Sequence, residues 1–285
     1  MDWSERRRRF GDVLAGSCCV HPASVFDPIS ARIAQDLGFE VGMFSGSVAS
    51  LTVLGSPDIA LLTLSEFAAQ AYRINRASVL PLLVDADHGY GNALNVMRTI
   101  EELESAGVSA ASIEDTKLPQ PFGETDPSLL SIAEGVGKMR AALAARQDPG
   151  FTVIGRTSAV NVTGVADAIE RAQAYSAAGV DAVFFAGGVT RAELDAIASV
   201  IDLPIILGAV SADLLDRDYL ASRKVRIAQF GHQPFAAAVQ AVHDTLRGLR
   251  SGVKPADLTG IASSDLMREV TRDTAYAARI DKFLR

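Results

Sequence analysis

The chain has 285 residues, of which 48% are hydrophobic and 21% are charged, and its formal net charge is −7 with a pI near 5.2. This is the composition of a globular protein rather than of a disordered one. The acidity and the lack of a basic stripe argue against nucleic acid and membrane surfaces as partners, although a locally positive site can still bind an anionic substrate.

The first segment, MDWSERRRRFGDVLAG, predicts an amphipathic helix whose arginine run is interpreted as a solvated face. No apolar run follows it, so it does not look like a signal peptide, and no apolar stretch reaches the roughly 18 residues that span a bilayer. The two cysteines, Cys18 and Cys19, are adjacent, which is poor geometry for a disulfide. We therefore expect a cytoplasmic protein.

Apolar runs then alternate with helical patterns along the chain. Strands are predicted at 18–26, 41–47, 79–87, 109–115, 151–157, 181–187, 202–209 and 224–232. Helices are predicted at 28–37, 64–78, 92–106, 131–146, 163–178, 190–199, 211–222 and 234–249. Short apolar strands flanked by helices are typical of buried parallel strands in βα units.

Eight such units predict an α/β fold, a (β/α)8 TIM barrel over about 18–250. The N-terminal helix precedes it, and a polar helical extension over about 251–285 follows it within a single domain, where it is available to a partner subunit. A doubly wound open sheet would need a glycine-rich turn after the first strand, and the segment FDPISARI has none.

In such a barrel the active site lies where the strands end. The polar residues at the predicted strand ends are Ser45, Gly46, Ser47, Asp85, Asp87, Glu114, Asp115, Arg156 and His232. Carboxylates brought together repel one another unless a cation lies among them. Because Mg²⁺ keeps several waters and uses one or two carboxylates, the pattern predicts a Mg²⁺ site, with Mn²⁺ as the alternative, in which one acid binds directly and the others act through water.

Arg156 offers a planar fork for a carboxylate, and the turn Ser45–Ser47 offers N–H groups and hydroxyls to the same anion. Each motif also has a purely structural interpretation. An Asp-x-Asp pair is usually a turn or a helix cap, and an arginine after a strand is often an internal ion pair. The convergence of all of them on one end of a barrel favours a functional site.

The sequence resembles the isocitrate lyase/phosphoenolpyruvate mutase superfamily in five segments: SGSVAS (45–50), LPLLVDADHGYGNALNV (80–96), AASIEDT (110–116), VIGRTSA (153–159) and FGH (230–232). The resemblance runs from Ser24 to about Leu249. It implies a (β/α)8 barrel whose last helix is often exchanged between subunits, and a homo-oligomer that is a dimer of dimers. It also implies chemistry on small 2-oxo and 2-hydroxy acids through Mg²⁺-stabilised enolates.

Within the superfamily the closest likeness is to the oxaloacetate decarboxylase group, which implies Mg²⁺-dependent conversion of oxaloacetate to pyruvate and CO2. The resemblance implies that Ser47, Arg156 and His232 contact the substrate and that Asp85 binds the metal. We expect Asp87 and Glu114 to act on the metal through water, Ser45 and Gly46 to complete the substrate turn, and Arg156 and His232 to be the catalytic residues.

Two other functions stay open. The first is a C–C lyase of the methylisocitrate or alkylmalate type, or a phosphonopyruvate-type enzyme. It is disfavoured because the segment EDTKLPQPFGETD after strand 4 lacks both the lyase cysteine and the mutase asparagine loop. The second is a non-catalytic 2-oxo acid binding protein, which is mildly favoured by Ser158, where relatives carry asparagine, and by the altered segment 207–213.

Overall fold

A computed structural model describes residues 3–285. Its strands are β1 (Ala23–Ser24), β2 (Gly42–Phe44), β3 (Leu82–Asp85), β4 (Ala110–Glu114), β5 (Thr152–Thr157), β6 (Ala182–Gly188), β7 (Ile205–Ala209) and β8 (Val225–Ala228). They form one parallel sheet in the order β1 to β8. Val20 pairs with β8 through two backbone hydrogen bonds, from its N–H to Arg226 O at 2.9 Å and from the Ala228 N–H to its carbonyl at 3.0 Å. The predicted (β/α)8 barrel is confirmed.

The helices are α1 (Ser4–Ala15), α2 (Pro28–Asp36), α3 (Gly46–Ala49), α4 (Leu64–Ala77), α5 (Ala93–Ser105), α6 (Ile132–Ala145), α7 (Ala159–Val162), α8 (Val165–Ala178), α9 (Arg191–Val200), α10 (Arg217–Ser222), α11 (Gln233–Arg250), α12 (Ser264–Thr271) and α13 (Asp273–Leu284). A π-helical turn (Ser50–Leu54) extends α3, and 3-10 turns occupy Ala212–Leu214 and Pro255–Asp257. No helix in residues 3–285 combines the length and the apolar character needed to cross a bilayer.

Several predicted elements are shorter in the structure, and two of them have a clear local cause. The first strand is regular over only two residues, because Pro22 has no N–H to give to the ladder. The predicted helix at 211–222 becomes a 3-10 turn followed by α10. The reason is that the Asp216 carboxylate accepts from the N–H groups of Asp218 and Tyr219 and starts a new helix there.

Apolar side chains form one core inside the barrel and another between the sheet and the helices. The inner core contains Val41, Met43, Leu83, Ala110, Ile154, Ala182, Phe184, Ile206 and Ile227. Phe10 and Leu14 of α1 belong to the same cluster, so the N-terminal helix packs into the end of the barrel where the strands begin. The other end, where the strands finish, is left to polar groups.

The solvated face expected for the arginine run is wrong for two of its members. Arg6 and Arg7 are buried. Arg6 donates to Asn75 O near the end of α4, while Arg7 donates to Glu104 O at 2.6 Å and to Val108 O at 3.0 Å. Carbonyls near a helix C-terminus lack partners within the helix, so guanidinium groups satisfy them here. Arg6, Phe10 and Leu14 share one helical face, a spacing that already favours burial.

The last barrel helix does not lie against the barrel along its length. None of the α11 side chains is buried. After it, the chain returns to α2, where Val270 of α12 is buried and Arg272 makes a two-point contact with Asp36 at 2.6 and 2.8 Å. The barrel is therefore complete in its strands but leaves α11 largely without a partner.

Candidate active site

Side-chain alternation places the site residues. Successive residues of a strand point to opposite faces, so Asp85 points the same way as Leu83, Glu114 as Ala110, and Arg156 as Ile154. Those apolar residues belong to the inner core. The polar groups therefore stand above that core, inside the barrel, at the ends of three neighbouring strands.

Arg156 holds two of these carboxylates. Its Nη1 atom contacts Asp85 Oδ2, and its Nη2 atom lies 3.5 Å from Glu114 Oε2. The guanidinium also lies 5.3 Å from the ring centre of Phe184. Burial alone would lower the pKa of Arg156, but Asp85 and Glu114 raise it above its usual value. The arginine is therefore fixed as a cation between two acids, and the Coulomb attraction within the group is stronger than in water because the local dielectric constant is lower.

Asp87 lies against the turn that follows β2. Its backbone is left-handed, with φ of 47°, and its N–H donates to Asp85 Oδ1 at 3.1 Å. A Cβ built on Gly46 would stand 2.5 Å from Asp87 Oδ1, so only glycine admits the carboxylate there. Burial, followed by the charges of Asp85 and Glu114, raises the pKa of Asp87 well above its usual range.

The predicted turn Ser45–Ser47 forms the start of α3. Ser45 caps this helix by accepting from the Val48 N–H at 3.2 Å, and its hydroxyl lies 2.9 Å from the Ser47 hydroxyl. Together with the contact between Gly46 and Asp87, this puts the turn beside the acids. Ser47 is less buried than Ser45.

His232 is held by a residue of β1. Its Nδ1 atom lies 2.9 Å from Ser24 Oγ. Burial lowers the pKa of His232, although the negative charges of Asp85 and Asp58 act in the opposite direction. Burial therefore favours the neutral form of the imidazole, and the contact with Ser24 engages Nδ1 and not Nε2.

Asp58, Ser24 and Tyr90 lie beside the site and are not predicted by the sequence patterns. Burial of its carboxyl and the charge of Asp85 raise the pKa of Asp58, which places it beside the same acids. Tyr90 has a left-handed φ of 60° and a buried hydroxyl with no hydrogen-bond partner among the described residues. Asp58 follows no strand, so its sequence context shows only a loop. Tyr90 lies within the segment 80–96 that resembles the superfamily, but nothing in that pattern predicts its positive φ.

Asp115 does not belong to the site. It follows Glu114 directly, so it points out of the barrel, where it is fully buried and binds Arg171 and Tyr175. The cysteines are also remote from the site. Cys18 and Cys19 are free thiols near the start of β1, and burial raises the pKa of Cys19 to about 11. Neither thiol lies where a catalytic acid after β4 would be needed.

The donor set fits a divalent cation by its charge. Asp58, Asp85, Asp87 and Glu114 face a single guanidinium, that of Arg156, and the pKa values of Asp58, Asp87 and Glu114 are all raised from their usual values, with burial as the largest cause. No three acid, histidine or cysteine side chains within residues 3–285 converge closely enough to enclose an ion by themselves. A cation among these acids would favour their ionised forms.

Fold and site together define a (β/α)8-barrel protein with an acid–arginine centre at its strand ends. A family model described as phosphoenolpyruvate phosphomutase matches residues 13–250. The chain belongs to this family, and the family assignment drawn from the strand-end motifs is confirmed.

Individual relatives cover the whole chain. An oxaloacetate decarboxylase from Rhodopseudomonas palustris (strain BisA53) is 60% identical over 284 residues, which is 100% of this chain and 98% of that protein. One from Bradyrhizobium diazoefficiens is 56% identical over 279 residues, covering 98% and 97%. Among solved structures, a phosphonopyruvate hydrolase complexed with oxalate and Mg²⁺ has a TM-score of 0.86 at 29% identity and covers 98% of this chain and 99% of that one.

Proposed function

We propose that this protein is an enzyme, an oxaloacetate decarboxylase, which forms pyruvate and CO2 and requires Mg²⁺, or Mn²⁺ in its place. The observation that carries the proposal is the position of Arg156, fixed between Asp85 and Glu114 where the strands end. The names of the full-length relatives support the same substrate. Asp85 would hold the ion directly, and Asp87 and Glu114 would hold it through water.

A bound Mg²⁺ supplies Lewis-acid stabilisation of the negative charge that develops on a 2-oxo acid during bond cleavage. The chain's own residues position the substrate. The N–H groups of Arg156 that do not face Asp85 and Glu114, among them the unpartnered Nε, bind the C1 carboxylate, and the N–H groups and hydroxyls of Ser45, Gly46 and Ser47 bind the same end. The reacting C3–C4 bond is thereby held in one orientation, which lowers the entropic part of the activation barrier.

In the reaction, the C3–C4 bond breaks and its electron pair stays on C3. The C4 carboxylate leaves as CO2, and C3 takes up a proton to give pyruvate. A tight grip on C4 would stabilise the substrate as much as the transition state and would not speed cleavage. The small residues at the ends of β6 and β7, Gly188 and Ala209, offer no such grip.

His232 is the residue we assign to the C3–C4 end. We assign the proton of the neutral ring to Nε2, so that Nδ1 accepts from the Ser24 hydroxyl 2.9 Å away. That N–H can orient the departing carboxylate and stand on the route by which C3 is protonated. The predicted roles of Arg156 and His232 thus become one proposal, with Arg156 at the retained end and His232 at the leaving end.

The direct test uses purified protein, oxaloacetate and Mg²⁺, with pyruvate followed by NMR. We expect metal-dependent pyruvate formation well above the rate of metal alone, and its loss with EDTA. A substrate panel including phosphonopyruvate addresses the second candidate, which the hydrolase neighbour favours. Oxalate binding by calorimetry without turnover of any member of the panel would instead indicate a non-catalytic binder.

We also propose that the protein is a homo-oligomer, a dimer of dimers, in which α11 packs on a second copy. Its exposed apolar residues Val239, Val242, Leu246 and Leu249 form one helical stripe. A groove of about 500 Å³ beside α2, lined by Ile33, Leu37, Phe39 and Phe230 among others, offers an apolar surface for such a stripe. Light scattering should give four times the 30.1 kDa chain mass, and Leu246→Asp should lower it. A monomer mass for the unaltered protein would contradict the proposal.

The same proposal treats the chain as one domain that includes the tail 251–285, and it assigns the protein to the cytoplasm. Val270 of the tail is buried against the barrel, which supports a single domain. Both cysteines are free thiols, which fits a reducing compartment.

A further inference from the structure

The chain between β4 and α6 forms a hairpin that begins at the end of β4, here called the β4 segment (residues 116–130). Thr116 pairs with Leu129, and the Lys117 N–H donates to Ser128 O at 2.9 Å. Lys117 and Ser128 both contact Glu124 inside the hairpin, and Phe122 at its tip is fully exposed. The segment therefore has its own internal hydrogen bonds. Its position relative to the barrel depends on the residues at its two ends, Asp115 and Leu130.

One buried cluster, formed by Asp115, Arg171 and Tyr175, holds both ends of the segment. Asp115 Oδ2 accepts from the Tyr175 hydroxyl at 2.6 Å and from Arg171 Nη1 at 3.0 Å. The same Arg171 Nη1 donates to Leu130 O at 2.9 Å, and the Leu130 N–H donates to Asp115 O at 2.8 Å. Two residues of α8 thus fix both ends of the β4 segment.

The sequence makes room for this cluster. A Cβ built on Gly135 of α6 would stand within 3.0 Å of the Tyr175 ring and hydroxyl, and one on Gly155 of β5 would stand 3.0 Å from the ring. The tyrosine is fully buried between those glycines, and its hydroxyl reaches Asp115. The two glycines leave space for the Tyr175 ring, and Tyr175 and Arg171 both bind the Asp115 carboxylate outside the barrel.

A short chain of contacts joins this cluster to the candidate site. Asp115 is the neighbour of Glu114 on β4, and the Thr116 hydroxyl donates to Glu114 Oε2 at 2.8 Å. The same Glu114 oxygen lies 3.5 Å from Arg156. The placement of the segment's first residue therefore acts directly on a carboxylate of the site.

We propose that Arg171 and Tyr175 are positioning residues, which act through Asp115 to fix the β4 segment and, through Thr116, to orient Glu114 toward Arg156. A buried ion pair is a poor source of stability, because the cost of desolvation offsets the attraction. We assign this ion pair a role in holding the β4 segment and Glu114 in one geometry. The part of the inference that concerns turnover rests on the proposed function.

The test compares Tyr175→Phe and Arg171→Lys with a matched control, Tyr219→Phe. Tyr175→Phe keeps the packed ring and removes only the hydroxyl, and Arg171→Lys keeps the charge while losing the fork. Tyr219 makes the same kind of contact, a hydroxyl donating to Asp195 at 2.9 Å beside Arg223, but it ties α9 to α10 instead. A general loss of stability should appear in all variants, whereas loss of positioning should appear only in the first two.

Hydrogen exchange of peptides covering 115–131 needs no substrate. We expect it to be faster by about tenfold in Tyr175→Phe and Arg171→Lys, as expected for a lost bond to a charged group, and unchanged in Tyr219→Phe. We expect kcat to fall by a similar factor of about ten in the same two variants with KM nearly constant, because Glu114 would be misoriented after binding.

Unchanged exchange in both variants would overturn the proposal, and so would faster exchange with an unchanged kcat, which would cut the link to Glu114. Equal effects in Tyr219→Phe would reduce the cluster to ordinary packing. If the unaltered protein turns over another 2-oxo acid instead of oxaloacetate, the proposed function fails alone. The exchange measurement and the kcat comparison with that acid still decide the role of Arg171 and Tyr175.

Discussion

The carboxylate of Asp87 lies directly against the α carbon of Gly46, so that a Cβ on this glycine would stand 2.5 Å from Asp87 Oδ1. The contact joins the turn after β2, which is assigned to the substrate, to the acids after β3, which are assigned to the metal. The two halves of the site therefore touch at one glycine.

Gly46→Ala should consequently impair the enzyme without unfolding it. The new methyl group must push Asp87 or the turn aside, and displacements near 1 Å cost on the order of 100-fold in rate. We expect kcat/KM to fall by about that factor. Gly11→Ala on α1, where a Cβ meets nothing within 4 Å, is the control and should leave activity unchanged. Equal activity of Gly46→Ala and the unaltered protein would remove Asp87 from the site.

Asp87→Asn tests whether the acids repel one another when no metal is present. The pKa of Asp87 is raised by burial and by its acidic neighbours, so its ionised form is costly to bury. The neutral amide should raise the melting temperature in EDTA. It should also abolish most of the stabilisation that Mg²⁺ gives the unaltered protein, a gain in the free energy of unfolding of about 2.7 kcal/mol at 100 times the dissociation constant. Differential scanning calorimetry with and without Mg²⁺ measures both, and a lower melting temperature in EDTA would contradict the argument.

Arg156→Lys separates charge from geometry. Lysine keeps the positive charge but cannot hold Asp85 and Glu114 and also present a fork to a carboxylate. We expect kcat to fall by about 10² to 10³, the usual effect of losing one well-placed donor. Arg98→Lys, in an exposed pair with Glu102, should change neither kcat nor stability measurably. Retention of most activity by Arg156→Lys would show that the fork is not used.

Ser24→Ala removes the hydroxyl that holds His232 Nδ1 at 2.9 Å. The imidazole then loses its fixed orientation, at a cost of about 1 kcal/mol, so kcat should fall by about fivefold with little change in KM. Ser199→Ala, which removes a hydroxyl bonded only to a helix carbonyl on the surface, is the comparison. If Ser24→Ala behaves like Ser199→Ala, then the contact between Ser24 and His232 has no part in turnover.

The barrel, and the grouping of most candidate site residues at its strand ends, could be predicted because both follow from local patterns. Apolar runs mark the strands, and the alternation of side chains carries Asp85, Glu114 and Arg156 above the inner core. The strand-end motif groups Asp115 with Glu114, although the alternation of side chains directs Asp115 outward to Arg171. Applying the period of two to that pair would have separated them.

Other features depend on contacts that no local pattern contains. Asp58 lies in a loop after the π-helical turn Ser50–Leu54, and only the folded chain brings it near Asp85. Ser24 reaches His232 across the closure of the barrel between β1 and β8. The burial of Arg6 and Arg7 depends on helix ends that lie far away along the sequence, at Asn75 and Glu104.

The central claim is that the acids and Arg156 at the strand ends decarboxylate oxaloacetate with a divalent metal. The most direct measurement is the initial rate of pyruvate formation from oxaloacetate at fixed Mg²⁺, for the unaltered protein and for Asp85→Asn, each corrected for metal alone. We predict rapid pyruvate formation by the unaltered protein and a rate lower by about 10² or more for Asp85→Asn. Equal rates for the two proteins, or no rate above that of the metal alone, would contradict the claim.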